Sequence, residues 1–466
     1  MDKNTSENFR DSISTVNEKG KRIWVYPKKQ KGKFYTERTI VSFFLLFFLF
    51  AGPVIKINGH PFMLLNFFER KFIVFGLPFG PQDFYLFALA AITFIIFVVL
   101  FTAIYGRLFC GWICPQTVFL ELVFRKIEYL IEGDAEQQKS LDKAPLTGSK
   151  FFKKSLKHLI FFSIAFLIAN TFIAYIIGTN ELSKLISDTP VNHMSSFIAT
   201  IVFTGIFYFV FARFREQACT IVCPYGRLQG VLLDPNSIVV AYDYIRGEPR
   251  GIFRKNEVRK IGDCIDCHLC VKVCPTGIDI RNGTQLECVN CTSCIDACNS
   301  IMARVNLPKN LIRYDSLNGI KGLVKKKFTP RVILYTIILS ILLTVFLVLF
   351  SLHSDISTSI LRTAGTLYQE LPDNRVSNLY SIKIANNTFN DVPVRLKITN
   401  NPDAELTIAG KDIVISALSK YEGELLVIIP KDKIKFINTQ LKIDVFSNDK
   451  KIEELKTNFL GPKKSN

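Results

Sequence analysis

The chain has 466 residues, 49% of them hydrophobic, including 41 Phe, yet its formal net charge is +18. That length allows two or three domains, and long apolar runs between Lys/Arg-rich stretches exclude an ordinary soluble enzyme in favour of a polytopic membrane protein in contact with lipid. The basic residues flank the apolar runs, so they read as topology signals, and no nucleic-acid partner is expected.

The first 38 residues are polar and hold ten Lys/Arg, from Lys3 to Arg38. No small-residue cleavage site follows an apolar core, so the first apolar run is expected to be a retained helix. Five runs are long enough to span a bilayer, at 39–57, 84–105, 159–178, 195–212 and 332–352. Three basic residues (Lys56, Arg70, Lys71) lie between the first two, nine between the second and third, and only Lys184 between the third and fourth. Segment 213–331 is basic again and ends in Lys325, Lys326, Lys327 and Arg331. This alternation predicts a cytoplasmic N-terminus and a C-terminus outside.

After the last run, residues 376–458 show period-two stretches such as YSIKIANN and LKIDVFSN between turn residues, which predicts a small antiparallel β-sandwich. The expected order is a basic N-terminal segment (1–38), a four-helix membrane unit (39–230), a cytoplasmic domain (231–331), a fifth helix (332–352) and a β domain (353–466). Asn386-Asn387-Thr388 matches a glycosylation sequon, too short a match to carry weight.

All twelve Cys fall between Cys110 and Cys298. A secreted disulfide framework would place them in the C-terminal part, which has none, so the clustering points to metal or redox chemistry. Eight form two runs, Cys264-Ile-Asp-Cys267-His-Leu-Cys270-Val-Lys-Val-Cys274-Pro275 and Cys288-Val-Asn-Cys291-Thr-Ser-Cys294-Ile-Asp-Ala-Cys298. This is the spacing of two-cluster ferredoxins, in which the fourth Cys of each run serves the other cluster. Cys264, Cys267, Cys270 and Cys298 are expected to hold one [4Fe–4S] cluster, and Cys288, Cys291, Cys294 and Cys274 the second. Paired CxxC motifs also suit zinc, but the repeated 2-2-3 spacing with Pro275 argues against it. Asn299 stands where a second Pro is expected, His268 reads as a solvent-facing or hydrogen-bonding residue, and 275–280 as a short strand leaving the loop.

The other four Cys form Cys110-Gly-Trp-Ile-Cys114-Pro115 and Cys219-Thr-Ile-Val-Cys223-Pro224, each after an apolar run and each beside a Tyr-Gly-Arg triplet. On a continuous helix i and i+4 share a face, so each pair could present two sulfurs. Three readings stand: inert buried thiols, a dithiol/disulfide relay, or a thiolate site for a soft ion such as Cu(I). His193-Met194 is a thin candidate for an external copper contact; His60, His158 and His353 are isolated; Asn170 reads as an interhelical hydrogen-bonding residue. No GxGxxG fingerprint for a nicotinamide or flavin donor is present.

Taken with Arg22-Ile-Trp-Val-Tyr-Pro27, Phe75-Gly-Leu-Pro-Phe-Gly-Pro-Gln-Asp83 and Glu216-Gln-Ala-Cys-Thr-Ile-Val-Cys-Pro-Tyr-Gly-Arg227, these motifs resemble the CcoG/FixG/RdxA family of cytochrome c oxidase accessory proteins over nearly the whole chain. The resemblance implies a bacterial inner-membrane protein with a periplasmic immunoglobulin-like C-terminal domain. It further implies reduction of Cu(II) to Cu(I) for a cbb-type oxidase, with biogenesis factors and a copper-exporting P-type ATPase as partners and copper held at Cys110, Cys114, Cys219 and Cys223. Two alternatives remain: a quinol dehydrogenase of the NapH type feeding a periplasmic reductase, and a non-catalytic assembly scaffold. The expected fold is a membrane multi-domain chain: about five transmembrane helices, a ferredoxin-like two-cluster domain and an immunoglobulin-like β-sandwich.

Overall fold

The computed structural model describes residues 15–16, 19–69, 71–80, 83–189, 191–253, 261–323, 329–352, 355–363, 365, 367–408, 413–434, 436–447 and 450–462. His353, Arg70, Lys3 and Lys325 to Lys327 lie outside the described residues.

Among the described residues, six helices rather than five are long and apolar enough to cross a membrane: α1 (Lys33–Ala51), α2 (Phe84–Tyr105), α3 (Leu108–Ile131), α4 (Gly148–Ile177), α5 (Met194–Phe214) and α6 (Pro330–Ser351). The additional one is α3, which carries Glu121, Arg125 and Glu128 and so escapes a search for uncharged runs. Half of its most apolar stretch is buried (50%), against 28% or less in the other five. Phe119, Leu120 and Phe124 of α3 pack on Phe161 and Ile168 of α4 and Phe211 of α5, with Leu46, Leu49 and Phe50 of α1 beside them. Phe124 stacks on Phe211 at 4.6 Å and meets Phe161 edge-on at 4.8 Å, aromatic geometries that add to simple burial. Asn170 donates to the Phe166 carbonyl one turn back in α4 (2.8 Å) rather than to a neighbouring helix. A polar side chain on an apolar helix satisfies itself this way when its face has no partner.

The eight-cysteine segment belongs to the same compact unit as α1, α3, α4 and α5 (residues 1–54 and 89–344). A two-stranded antiparallel sheet (Val239–Tyr242 with Ile312–Asp315) and the helices Leu269–Lys272 and Ser293–Arg304 enclose a core of Val240, Tyr242, Ile280, Ile295, Met302, Leu311 and Ile312. Residues 275–279 form no strand; they lead irregularly into a single 3-10 turn at Ile280–Asn282.

The second unit comprises residues 55–88 and 345–466. Its β-sandwich has one sheet ordered Glu405–Ile408, Lys420–Pro430, Arg375–Asn386, Ile356–Arg362, with Gln369–Leu371 also on Arg375–Asn386. The other sheet is ordered Ile413–Ile415, Val392–Ile398, Asn438–Ser447, Lys450–Leu460. Alternate residues Tyr380, Ile382, Ile384, Leu425, Val427, Leu441, Ile443 and Val445 fill the core, as period-two patterning requires. A three-stranded sheet (Met63–Asn66, Lys71–Val74, Leu77–Phe79) between the first two membrane helices also lies in this unit. Asn387 donates to Asp83 (3.2 Å), and His60 stacks on Phe389 at 3.5 Å. The sequon residue Asn386 is buried and donates to the carbonyls of Asn390, Ile415 and Ser416, so its amide is structural.

Candidate metal centre

The two cysteine runs fold as a local repeat. Asp266 and Asn290 hold left-handed conformations (φ 54° each), as do His268 and Thr292 (φ 56° and 66°). Asp, Asn and His tolerate this region, but a β-branched Thr rarely adopts it, which marks a loop whose shape is imposed by its surroundings. His268 does more than face solvent: its Nδ1 lies 2.8 Å from Arg281 Nη2, and Arg281 also binds Asp266 and Asp279. Asn299 has a physical reason to replace Pro, because helix Ser293–Arg304 continues through Cys298 and a Pro there would break it. Its side chain instead accepts from the Asn310 amide (2.7 Å). Pro275, by contrast, follows the short helix Leu269–Lys272 after that helix has ended.

Cys264, Cys267, Cys270 and Cys298 line one small cavity. Cys274, Cys288, Cys291 and Cys294 line a second, to whose lining Cys270 also contributes. Cys267 is the exposed member of the eight. Burial pushes the Cys270, Cys288 and Cys298 thiols up to about 12 and Cys274 and Cys294 upward as well. A thiolate in such surroundings needs a cation against it. No three His, Cys, Asp or Glu side chains among the described residues are gathered tightly enough for a single metal ion. Wider quartets around apolar cavities suit a four-iron cluster, in which each thiolate binds its own iron.

The CxxxCP pairs do not lie on continuous helices. Span α3 is interrupted within the first pair: its first helical segment, Leu108–Trp112, stops, Cys114 is extended (φ −56°, ψ 124°), and the next segment starts at Pro115. Likewise Cys219 sits in the π-helical turn Ala218–Val222 while Cys223 caps the helix that begins with Pro224, accepting from the Gly226 amide at 3.4 Å. Pro is favoured as the first residue of a helix and lacks the N–H a continuing helix needs, so each pair straddles a break. The four thiols are nonetheless neighbours: burial, then the nearby Cys114, Cys110 and Cys223, push Cys219 up to about 12. Among the described residues, no three of these thiols are gathered tightly enough for a single metal ion.

The first pair is joined to the second cavity. Cys110, Val289 and Cys291 form one buried cluster, with Tyr225 packed against it. Arg38 of α1, 2% exposed, donates to the Gly111 carbonyl (3.1 Å) and the Cys291 carbonyl (2.9 Å), stapling the two loops. Trp112 donates to the Tyr314 hydroxyl (3.2 Å), which donates to the Asn290 carbonyl (3.2 Å). The buried Arg107 guanidinium, bonded to the Leu286 carbonyl, offsets part of the burial shift at both Cys219 and Cys288. Cys110 itself donates to Gln229 (2.8 Å), whose amide donates to Thr102 (3.0 Å).

The N-terminal motif explains itself in the same place. Arg22 and Arg215 both lie over the Trp24 ring (4.2 and 5.1 Å), and Arg22 pairs with Glu216 at 2.8 Å. Arg215 grips Glu128 with two bonds (2.6 and 2.9 Å); Arg125 binds Glu121 and donates to the Pro275 carbonyl (3.2 Å). The Asp296 carboxylate accepts from the Phe34 and Tyr35 amides at the start of α1 (3.3 and 2.8 Å). Arg38, Asp296 and Gln229 lack any sequence signal beyond being polar. Elsewhere, His158 bonds Tyr208 (2.9 Å) and His193 bonds Asp188 (3.1 Å) next to an exposed Met194.

Against known proteins, residues 87–131 match a 4Fe-4S binding domain, 214–317 a 4Fe-4S dicluster domain, and 346–462 the Ig-like fold at the C-terminal end of FixG. The chain is 32% identical over 415 residues to protein RdxA of Cereibacter sphaeroides, covering 85% of this chain and 87% of that protein. It belongs to the FixG/RdxA family. The nitrogen fixation protein FixG of Rhizobium meliloti is 31% identical over 438 residues, covering 84% of this chain and 82% of FixG. A solved FixG-related protein from Vibrio parahaemolyticus covers 23% of this chain and 97% of its own, at 17% identity and a TM-score of 0.21. This FixG/RdxA member is a multi-pass membrane iron–sulfur electron-transfer protein with an Ig-like C-terminal domain.

Proposed function

We propose that this protein reduces Cu(II) to Cu(I) at Cys110, Cys114, Cys219 and Cys223 during assembly of a cbb-type cytochrome c oxidase. The observation that carries this reading is the buried cluster that Cys110 forms with Val289 and Cys291, which joins the thiol quartet to the lining of the second cysteine cavity. Cys264, Cys267, Cys270 and Cys298 would hold one [4Fe–4S] cluster, and Cys274, Cys288, Cys291 and Cys294 the other. When bound, the clusters supply the single electrons that the reduction consumes, one per Cu(II). Copper is substrate: binding it draws the neighbouring thiols together and releases protons, beginning with the one Cys110 now shares with Gln229. Soft thiolates favour Cu(I), which adds to the driving force. Arg38, Gly111 and the Cys110–Val289–Cys291 contact hold the route together and exclude water from it.

In this reading the protein lies in the bacterial inner membrane, with its N-terminus and cysteine runs cytoplasmic and its β-sandwich periplasmic. Five helices cross. Helix α3 stays on the cytoplasmic side, a reading supported by its touching the cluster fold both at Gly111 and at Arg125. The oxidase biogenesis factors and a copper-exporting P-type ATPase would receive the Cu(I); a quinol or a cytoplasmic carrier would supply electrons.

The test is the double variant Cys110→Ser/Cys114→Ser. It should keep both clusters, seen optically, yet lose oxidation of the dithionite-reduced protein by Cu(II). Parental rates in that variant would favour the NapH-type quinol dehydrogenase. Parental rates in every cysteine-pair variant, together with normal oxidase assembly, would favour a scaffold.

A further inference from the structure

The segment just before α1 crosses the cysteine loops as a strap. Lys28 donates its amide to the Lys272 carbonyl (2.8 Å), and the Gly32 backbone approaches Asp296 so closely that a Cβ would sit 2.2 Å from its carboxyl carbon. Between these anchors Gln30 reaches both runs. Its Nε2 donates to the Val273 carbonyl (3.1 Å), and its Oε1 accepts from the Ser293 hydroxyl (2.6 Å). The Val273 oxygen can only accept, so the Gln30 amide has one orientation, with its oxygen towards Ser293. Ser293 is 3% exposed, and its oxygen lies 3.2 Å from Cys291 Sγ.

A hydroxyl has one proton. With that proton on Gln30, Ser293 turns lone pairs towards Cys291 instead of a donor. Hydrogen bonds to the sulfurs are one of the levers that set a cluster's potential. A ligating sulfur without an O–H donor is a poorer place to put an extra electron, because nothing offsets the added negative charge.

We propose that Gln30 is a positioning residue that lowers the reduction potential of the cluster held by Cys274, Cys288, Cys291 and Cys294, by keeping the Ser293 proton away from Cys291. This rests on Cys291 being a cluster ligand, as argued above. The strap thereby makes the cluster next to Cys110 the stronger reductant, and an N-terminal residue tunes a centre more than two hundred positions away in sequence.

The experiment is an EPR-monitored redox titration of the full-length, anaerobically purified protein and three variants. Gln30→Met removes the acceptor while keeping bulk. It should raise the potential of one cluster, by about tenfold in the reduction equilibrium or ~59 mV for one electron. Ser293→Ala should leave both potentials at parental values, and Gln30→Met/Ser293→Ala should behave like Ser293→Ala. An equal rise in the single Gln30 variant and the double variant would overturn the proposal, since the effect would then come from a loosened strap. A fall in Ser293→Ala would overturn it as well, because Ser293 would already be donating to Cys291. Loss of the cluster signal in Gln30→Met with retention in Ser293→Ala would make the strap purely structural. Absence of any four-iron signal in the parent chain would instead remove the cluster reading itself.

Discussion

A side chain on Gly111 would meet the Val289 carbonyl oxygen at 2.4 Å, so the turn between Cys110 and Cys114 rests its bare α-carbon on the Cys288–Cys294 loop. Both partners at that contact are backbone or buried, and neither can swing aside. Gly111→Val should therefore leave eight-iron protein intact while slowing Cu(II)-driven oxidation at least about tenfold, as expected for a small displacement at a site of close approach. Stopped-flow absorbance of the reduced protein checks it; an unchanged rate would mean that the electron leaves by another route.

Metal content gives the second expectation. Two four-iron clusters require about eight iron and eight sulfide per chain. Cys274→Ser should damage the cluster of Cys288, Cys291 and Cys294, with which it shares a cavity, and spare that of its own run. About twelve iron would mean that the CxxxCP quartet also takes a cluster, an outcome to which the 4Fe-4S match over residues 87–131 lends interest.

Asn299 separates the general ferredoxin pattern from this fold. Asn299→Pro restores the pattern but falls within helix Ser293–Arg304. It should cost about 3 kcal/mol and labilise the cluster held by Cys298, read as faster bleaching in air. A variant as durable as the parent would show that the helix ends at Cys298 in solution.

Arg215 and Glu128 are both nearly inaccessible (3% and 4% exposed). Arg215→Met would leave the Glu128 carboxylate only its longer contact with Lys157 (3.8 Å) and should cost about 3 kcal/mol. Adding Glu128→Gln should recover part of that loss in thermal unfolding, and an additive double variant would argue against coupling.

Orientation has its own test. A reporter active only in the periplasm should work when fused at the C-terminus and fail when fused after Lys150, as the charge alternation anticipates. The reverse would put the cysteine runs outside the cytoplasm.

The sequence made the thiols legible because their spacing is local: two or three intervening residues decide which of Cys264 to Cys298 share a cavity. Membrane helices α1, α2, α4, α5 and α6 were legible for the same reason, as uncharged runs. What escaped depends on pairs far apart in the chain. Nothing near Gly111 announces Val289, and nothing near Gln30 announces Ser293. Helix α3 does not read as an uncharged run because it carries Glu121, Arg125 and Glu128, which the fold pairs with Arg215, Glu216 and one another. The backbone at the CxxxCP pairs was not legible, because i, i+4 logic assumes an unbroken helix, whereas Pro115 and Pro224 each begin a new one.

The carboxylate of Asp296 at the head of α1 also sets an order of events during synthesis. Helix α1 leaves the ribosome early, but its N-terminal amides at Phe34 and Tyr35 gain their acceptor only when a residue more than 250 positions later has been made and folded. At about 5–20 residues per second that is a wait of roughly 13–50 s. During it the strap carrying Gln30 has nothing to close over. The second cysteine run surrounds Asp296 in the chain, so the strap can close only once both runs have been made, and the earliest residues are the last to find their place in this fold.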